Sequence, residues 1–175
     1  MEFLARNHFE LFGLPERFAI DRGALESAYR ELLAAVHPDR HVSESAQQKR
    51  LAMQAATQAN EALRCLRDPL LRAAYLCEIH GASASESGRN TVDPEFLEEQ
   101  MHWRESLDAA RASGDSPALQ ALKKEVEHSA SRSLDQLGRL LDEARNYDQA
   151  ARCLSRLMFI ERVTQQLDDA IDALN

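Results

Sequence analysis

Apolar residues recur at three- and four-residue spacings through almost the whole chain of 175 residues. A period this close to that of the α-helix sets one apolar stripe per segment, and such stripes can be buried together only as packed amphipathic helices. With 44% hydrophobic residues but only 6 Gly and 5 Pro, the few breakers become the punctuation between helices. No segment alternates in the way a half-buried strand requires, so an all-α fold is expected. The length suffices for one domain or for two small ones.

The punctuation predicts two units. A short helix over about 8–12 ends at Gly13, with Pro15 as a stop signal. Asp21 is a plausible N-cap for a helix whose apolar face carries Leu25, Ala28, Tyr29, Leu32, Leu33 and Val36. Pro38 disfavours the helical conformation in the residue before it, so that helix stops near His37. After a polar segment over 41–45, a second long helix runs to about residue 66, with Leu51, Ala55, Ala59, Ala62, Leu63 and Leu66 inward. The pair makes an antiparallel hairpin whose tip carries His37, Pro38 and Asp39. Asp68-Pro69 then opens a helix that lasts until Gly81, and 81–92 reads as a linker. Asp93-Pro94 repeats the start signal for a helix to about 112, and Gly114-Asp115 breaks it. Helices over about 117–144 and 148–174, joined by a turn at Asn146 and Tyr147, complete a three-helix bundle. The expected division is therefore 1–80, a linker at 81–92, and 93–175.

Charge narrows the partners. The chain has a formal net charge of -8, which neither a nucleic-acid backbone nor an anionic membrane rewards. Residues 1–80 carry 10 Lys and Arg against 11 Asp and Glu, whereas residues 81–175 carry 11 against 18. The second half is the acidic one, and another protein is the expected partner. No apolar run approaches the length of a membrane span, and the first residues lack a signal-peptide pattern, so a cytoplasmic protein is expected. Cys65, Cys77 and Cys153 are odd in number and far apart, which suits buried thiols in a reducing compartment and neither disulfides nor a metal site. His37 and His41 are spaced for zinc only on a continuous helix, which Pro38 interrupts. No metal or cofactor is expected.

Two constellations stand out as contact surfaces. A Pro-centred tip between two long helices can present the His37 imidazole and the Asp39 carboxylate with little ordering entropy. On the helix after Asp93, the stripe of Phe96, Gln100, Trp103, Leu107 and Ala110 should face the core. Leu97 and Met101 fall off it, among Glu98, Glu105 and Asp108. On the last helix, Ala150, Cys153, Leu157, Ile160, Leu167 and Ile171 share the core side, while Phe159 points roughly opposite, beside Arg152, Arg162 and Gln166. A wide core stripe would account for Leu97, and lone surface aromatics are common; a partner-binding face would account for all three.

His37-Pro38-Asp39 in this helix–loop–helix setting, preceded by FELFGLP at 9–15, resembles the J-domain. With RDPLLRAAYL at 67–76, FLEEQMHWRESLD at 96–108 and a terminal bundle, nearly the whole chain is similar to the HscB family of J-domain co-chaperones, in its bacterial form. The resemblance implies an adaptor without enzymatic activity that works in iron–sulfur cluster assembly. Its J-domain would bind an HscA-type, DnaK-class chaperone and stimulate its ATPase through His37, Pro38 and Asp39, with basic contacts from Arg22, Arg30 and Arg40. Glu26 and Glu31 interrupt that basic row, and Arg40 stands where many J-domains carry Lys. Its bundle would bind an IscU-type scaffold through positions matching Leu97, Met101, Glu105 and Phe159. Glu98 stands there in place of a familiar apolar residue, and His102 in place of an acid. The alternative is a general J-domain co-chaperone that delivers unfolded clients to a broad DnaK-class chaperone.

Overall fold

The structure, a computed structural model, describes residues 7–36, 46–82 and 93–174. It contains seven helices and no strand among the described residues: α1 (His8–Leu11), α2 (Arg22–Val36), α3 (Ala46–Arg67), α4 (Pro69–Ile79), α5 (Pro94–Ser113), α6 (Ser116–Asp142) and α7 (Tyr147–Asp172). The chain divides into two compact units, Met1–Leu76 and Cys77–Asn175. The His37-Pro38-Asp39 tripeptide, Arg40 and most of the expected linker lie outside the described residues.

In the first unit Asp21 and Asp68 act as the start signals that the sequence predicts, and Asn7 adds one that it did not single out. Asn7 and Glu10 form a capping box on α1, the Asn7 Oδ1 accepting from Glu10 N at 2.8 Å and Glu10 Oε2 from Asn7 N at 2.9 Å. Gly13 ends that segment with φ +62°, a left-handed conformation that costs glycine little. Asp21 Oδ1 accepts from Gly23 N at 2.7 Å at the head of α2, and Asp68 Oδ1 from Leu70 N at 2.8 Å before α4. The hairpin direction follows from two contacts: Glu26 approaches Arg67 at 4.0 Å, and the Tyr29 hydroxyl donates to Asn60 Oδ1 at 2.7 Å. Numbers rise along α2 as they fall along α3, so the helices are antiparallel and residues 37–45 join their near ends. Phe9 and Phe12 of the short segment are buried with Leu25, Leu32, Ala59, Ala62 and Leu66.

Two expected positions differ from those observed, and α4 buries a face that periodicity did not single out. Leu51 is 41% exposed and Ala52 is buried instead. Relative to the buried stripe of Ala52, Ala59, Ala62 and Leu66, Leu51 lies about 60° off centre, at the edge of what α3 can bury. On α4 the buried residues are Arg72, Ala73, Leu76 and Cys77, while Leu71 is exposed, because this helix is apolar over most of its surface and periodicity does not choose its face. Before α7, the left-handed residue of the turn is Arg145 (φ +48°), ahead of Asn146, which serves as the cap by accepting from Gln149 N at 3.1 Å.

The second unit is an up-down-up bundle of α5, α6 and α7. Glu99 and Trp103 of α5 meet Ser129 and Glu125 of α6 at 3.4 and 2.9 Å, an antiparallel pairing. Lys123 and Ser133 of α6 meet Asp168 and Cys153 of α7 at 2.5 and 3.2 Å, again antiparallel. The core joins Trp103, Leu107 and Ala110 to Leu119, Leu122 and Val126, and both sets to Ile160, Val163, Leu167 and Ala170. Pro94 opens α5 behind the Asp93 cap, and Gly114 closes it in the left-handed region at φ +65°. With 20 residues against 27 and 26, α5 is shorter than its neighbours, and its first turn comes down partway along the α6–α7 pair.

The Cys153 Sγ donates to the Ser133 carbonyl, and burial pushes the thiol up to about 11; the Cys77 thiol is likewise pushed to about 11, by burial first and the Asp148 charge second. In the unfolded chain a thiol releases its proton near its ordinary value of 9.0. Above that pH the unfolded state therefore binds fewer protons than the folded one, and stability present below pH 9 is lost as pH rises toward 11. Melting temperature should fall over that window, and Cys153→Ala should make the fall shallower. An identical slope in the variant would show that the thiol does not carry it.

Candidate functional site

The bundle places the α5 residues singled out by periodicity on two different faces. Trp103 and Leu107 are buried, and Phe96 and Gln100 are half-buried at the near end of the same stripe. Leu97 and Met101 are 45% and 56% exposed, so they lie off the core as their spacing predicts. Leu97, Met101 and Glu105 follow one another at four-residue steps and share one exposed row, with Glu98 and His102 in the adjoining row. His102 turns toward α6, its Nε2 lying 3.5 Å from Glu125 Oε2, while the other oxygen of that carboxylate accepts from the Trp103 indole at 2.9 Å.

Phe159 departs from the sequence reading. Instead of standing opposite the core, it is half-buried and packs against the core cluster. The reason is the late start of α5. At that level of the bundle Phe96 leans across to α7, its ring meeting Phe159 edge-on at 5.7 Å and Trp103 edge-on at 6.2 Å. The three aromatics thus form a chain from the core to the surface.

Beside this chain lies an open groove of about 940 Å³, lined by Phe96 and Leu97 of α5, Gln136 of α6, and Arg152, Phe159 and Arg162 of α7, among others. Leu97 and Phe159 therefore share one surface, and Met101 lies one turn further along the exposed row of Leu97. Arg156 fixes the geometry. Its guanidinium sits over the Phe96 ring at 4.4 Å, with Nη2 2.6 Å from Glu99 Oε2 and Nη1 3.8 Å from Asp93 Oδ2. Glu99 also draws Arg132 of α6 to 3.5 Å. Sequence reasoning passed over Arg156, Glu99 and Phe96 as site-shaping residues. A usable signal was present, since Arg156 stands three residues before Phe159, on the partly apolar side of α7.

In the first unit Arg22 and Arg30 are exposed on α2, with Glu26 between them at four-residue steps. Arg30 Nε donates to the Glu26 carbonyl at 3.2 Å. Arg22 shares a shallow depression of about 470 Å³ with Arg64 and Arg67 of α3, which the sequence reading did not single out. Among the described residues no group of three or more His, Cys, Asp or Glu side chains is arranged to hold a metal ion. No helix among them is long and apolar enough to cross a membrane.

The same organisation recurs in known proteins. The family described as the HSCB C-terminal oligomerisation domain matches residues 92–168. The co-chaperone protein HscB homolog of Bordetella pertussis is 48% identical over 166 residues, covering 95% of this chain and 96% of its own. The homolog from Aromatoleum aromaticum is 43% identical over 171 residues, covering 98% and 97%. Among solved structures, chaperone HscB from Vibrio cholerae superimposes with a TM-score of 0.78 at 35% identity, over 97% of this chain and 100% of that one. The human co-chaperone protein HscB does so with a TM-score of 0.81 over 93% and 81%, at 24% identity, a likeness of fold. With an N-terminal J-domain, a C-terminal three-helix bundle and matches that run almost end to end, this chain belongs to the HscB family of J-domain co-chaperones.

Proposed function

We propose that this co-chaperone is a two-ended adaptor in iron–sulfur cluster assembly: its bundle binds an IscU-type scaffold, and its J-domain delivers that scaffold to an HscA-type, DnaK-class chaperone and stimulates the chaperone's ATPase. The observation that carries the reading is the exposed pair Leu97 and Met101 beside the half-buried Phe159, on the bundle of an HscB-family chain. Apolar anchors at the edge of a groove, surrounded by polar side chains, are what a protein–protein hot spot requires. Met101 adds adaptability, and Phe159 a ring already ordered by Phe96. Glu98, His102 and Glu105 form the polar rim. Residues 1–80 act as the J-domain, 81–92 as the connection and 93–175 as the scaffold-binding bundle, in a cytoplasmic protein that needs neither cofactor nor chemistry of its own.

At the other end, His37, Pro38 and Asp39 contact the ATPase, and Arg22, Arg30 and Arg40 supply the positive charge. Glu26 and Glu31 break that charge into short stretches, which suits one dedicated chaperone partner better than many. Hydrolysis occurs on the partner, so the J-domain acts by binding the chaperone and shifting its population toward the hydrolytic state. Binding energy from both ends holds the scaffold beside the chaperone and raises its effective concentration there.

Three outcomes are expected. His37→Gln or Asp39→Asn should abolish ATPase stimulation in a steady-state assay while the helical circular dichroism stays unchanged, and stimulation at the wild-type level would remove the chaperone role. Leu97→Ala with Met101→Ala should weaken calorimetric binding of an IscU-type scaffold by about 2–3 kcal/mol with little change in melting temperature, because both side chains are exposed. Phe159→Ala should weaken binding too, at a visible stability cost, since that ring is packed. Unchanged affinity in the Leu97/Met101 variant would move the scaffold site elsewhere, and tight binding of unfolded polypeptides instead would favour a general client-delivery role.

A further inference from the structure

The charge around the groove is sorted in a way the overall composition hides. In a chain of net charge -8, the side chains lining the groove include Arg152, Arg156 and Arg162 but only one acid, Asp93. Arg156 is already engaged with Glu99 and Asp93 under Phe96, and Asp93 is thereby spoken for. Arg152 and Arg162 are different: both are exposed, and among the described residues neither has a carboxylate partner. With Phe159 they fall within a sector of about 80° on α7, one on each side of the ring along the helix. The exposed acids Glu98, Glu105 and Asp108 lie on α5 and do not line the groove. The charge is thus sorted at the groove itself, where three arginines of α7 face Asp93, while beyond it α5 exposes Glu98, Glu105 and Asp108 with Arg104 among them, and Asp148 stands one turn before Arg152.

We propose that Arg152 and Arg162 receive a carboxylate-bearing segment of the scaffold, so that the groove binds an apolar residue flanked by acid and fixes the direction in which the scaffold docks. This rests on the reading that the scaffold binds at Leu97, Met101 and Phe159. Charge complementarity favours such a segment. An apolar segment alone would leave two guanidinium groups facing its edge without a counter-charge, whereas a neighbouring Asp or Glu gives either arginine a bidentate partner. The α5 acids repel that same segment, so a reversed docking would bring like charges together. Paired charges at the rim of an apolar contact mainly set orientation and association rate, and salt screens them.

The test is titration of purified IscU-type scaffold into the full chain at about 50 mM and about 500 mM salt. The chains compared are the wild type, Arg152→Glu/Arg162→Glu, Arg152→Gln/Arg162→Gln, and Lys124→Glu as a reversal outside the groove. The double Glu variant should bind about tenfold or more weakly at low salt, mostly through a slower association rate, with the gap narrowing to about threefold at high salt. The double Gln variant, which removes the attraction without adding repulsion, should fall between, and Lys124→Glu should stay near the wild type. If the double Glu variant binds no worse than Lys124→Glu while Leu97→Ala/Met101→Ala still loses affinity, the arginine role is overturned and the scaffold site stands. If Leu97→Ala/Met101→Ala also binds like the wild type, or the wild type does not bind at all, both fall together. A double Glu variant that abolishes a wild-type dimer in sedimentation but leaves scaffold affinity intact would assign the basic side to a second copy of this chain and overturn the proposal.

Discussion

Arg156 is where the three helices of the bundle meet, and the shape of the surface follows from its contacts. Its side chain is about three-quarters buried, as is that of Glu99, whose carboxylate it holds at 2.6 Å. A guanidinium so placed must find partners or lose much of the solvation it gave up. Its terminal nitrogens find them on α5 in Glu99 and Asp93 and within 3.5 Å of the Ser129 hydroxyl of α6, its plane lies over the Phe96 ring, and only Nε is buried without a hydrogen-bond partner. The start of α5 is pinned by these bonds. Because α5 starts there and not a turn earlier, the α6–α7 pair runs on past it, and the groove opens at that step.

From that step the exposure of the neighbouring residues follows. Phe96 cannot reach the centre of the core, which Trp103 already fills, so it leans on Phe159 and keeps that ring half in and half out. Leu97, the next residue on α5, is turned about 100° away and stays 45% exposed at the groove. Met101 and Glu105 repeat its position at successive turns. Exposed Leu97 and Met101 lie beside a Phe159 ring that packing already holds, so that ring has little further freedom to give up on contact. The first unit uses a different device: alanines at 52, 59 and 62 let α2 and α3 approach closely, and the Tyr29–Asn60 bond fixes their register.

Much of this was legible in the sequence because it is encoded locally. Asp21, Asp68 and Asp93 each cap the helix they precede, and Gly13 and Gly114 end theirs in the left-handed conformation, whereas Asp115, read from the sequence only as a breaker, also caps the helix after it. The exposure of Leu97 and Met101 follows from counting residues around α5. What was not legible depends on relations between helices. Nothing within α7 says that Phe159 will be half-covered, since Phe96 comes to it from another helix. Arg156 reads as one more surface arginine until Glu99 and Asp93 are brought beside it, and Leu51 reads as inward because a single-helix period does not say how wide a stripe its partner covers. The unpaired charge on Arg152 and Arg162 is likewise invisible in a composition that is acidic overall.

One face of the bundle, built from the start of α5 and the middle of α7, is the proposed seat of the scaffold. Backbone amide shift mapping of the isotopically labelled full chain during titration with an IscU-type scaffold tests it most directly. Perturbations should concentrate at residues 93–105 and 149–162 and leave α2 and α3 unmoved. Perturbations confined to the J-domain, or spread over the far side of α6 with Leu97, Met101 and Phe159 unaffected, would contradict it.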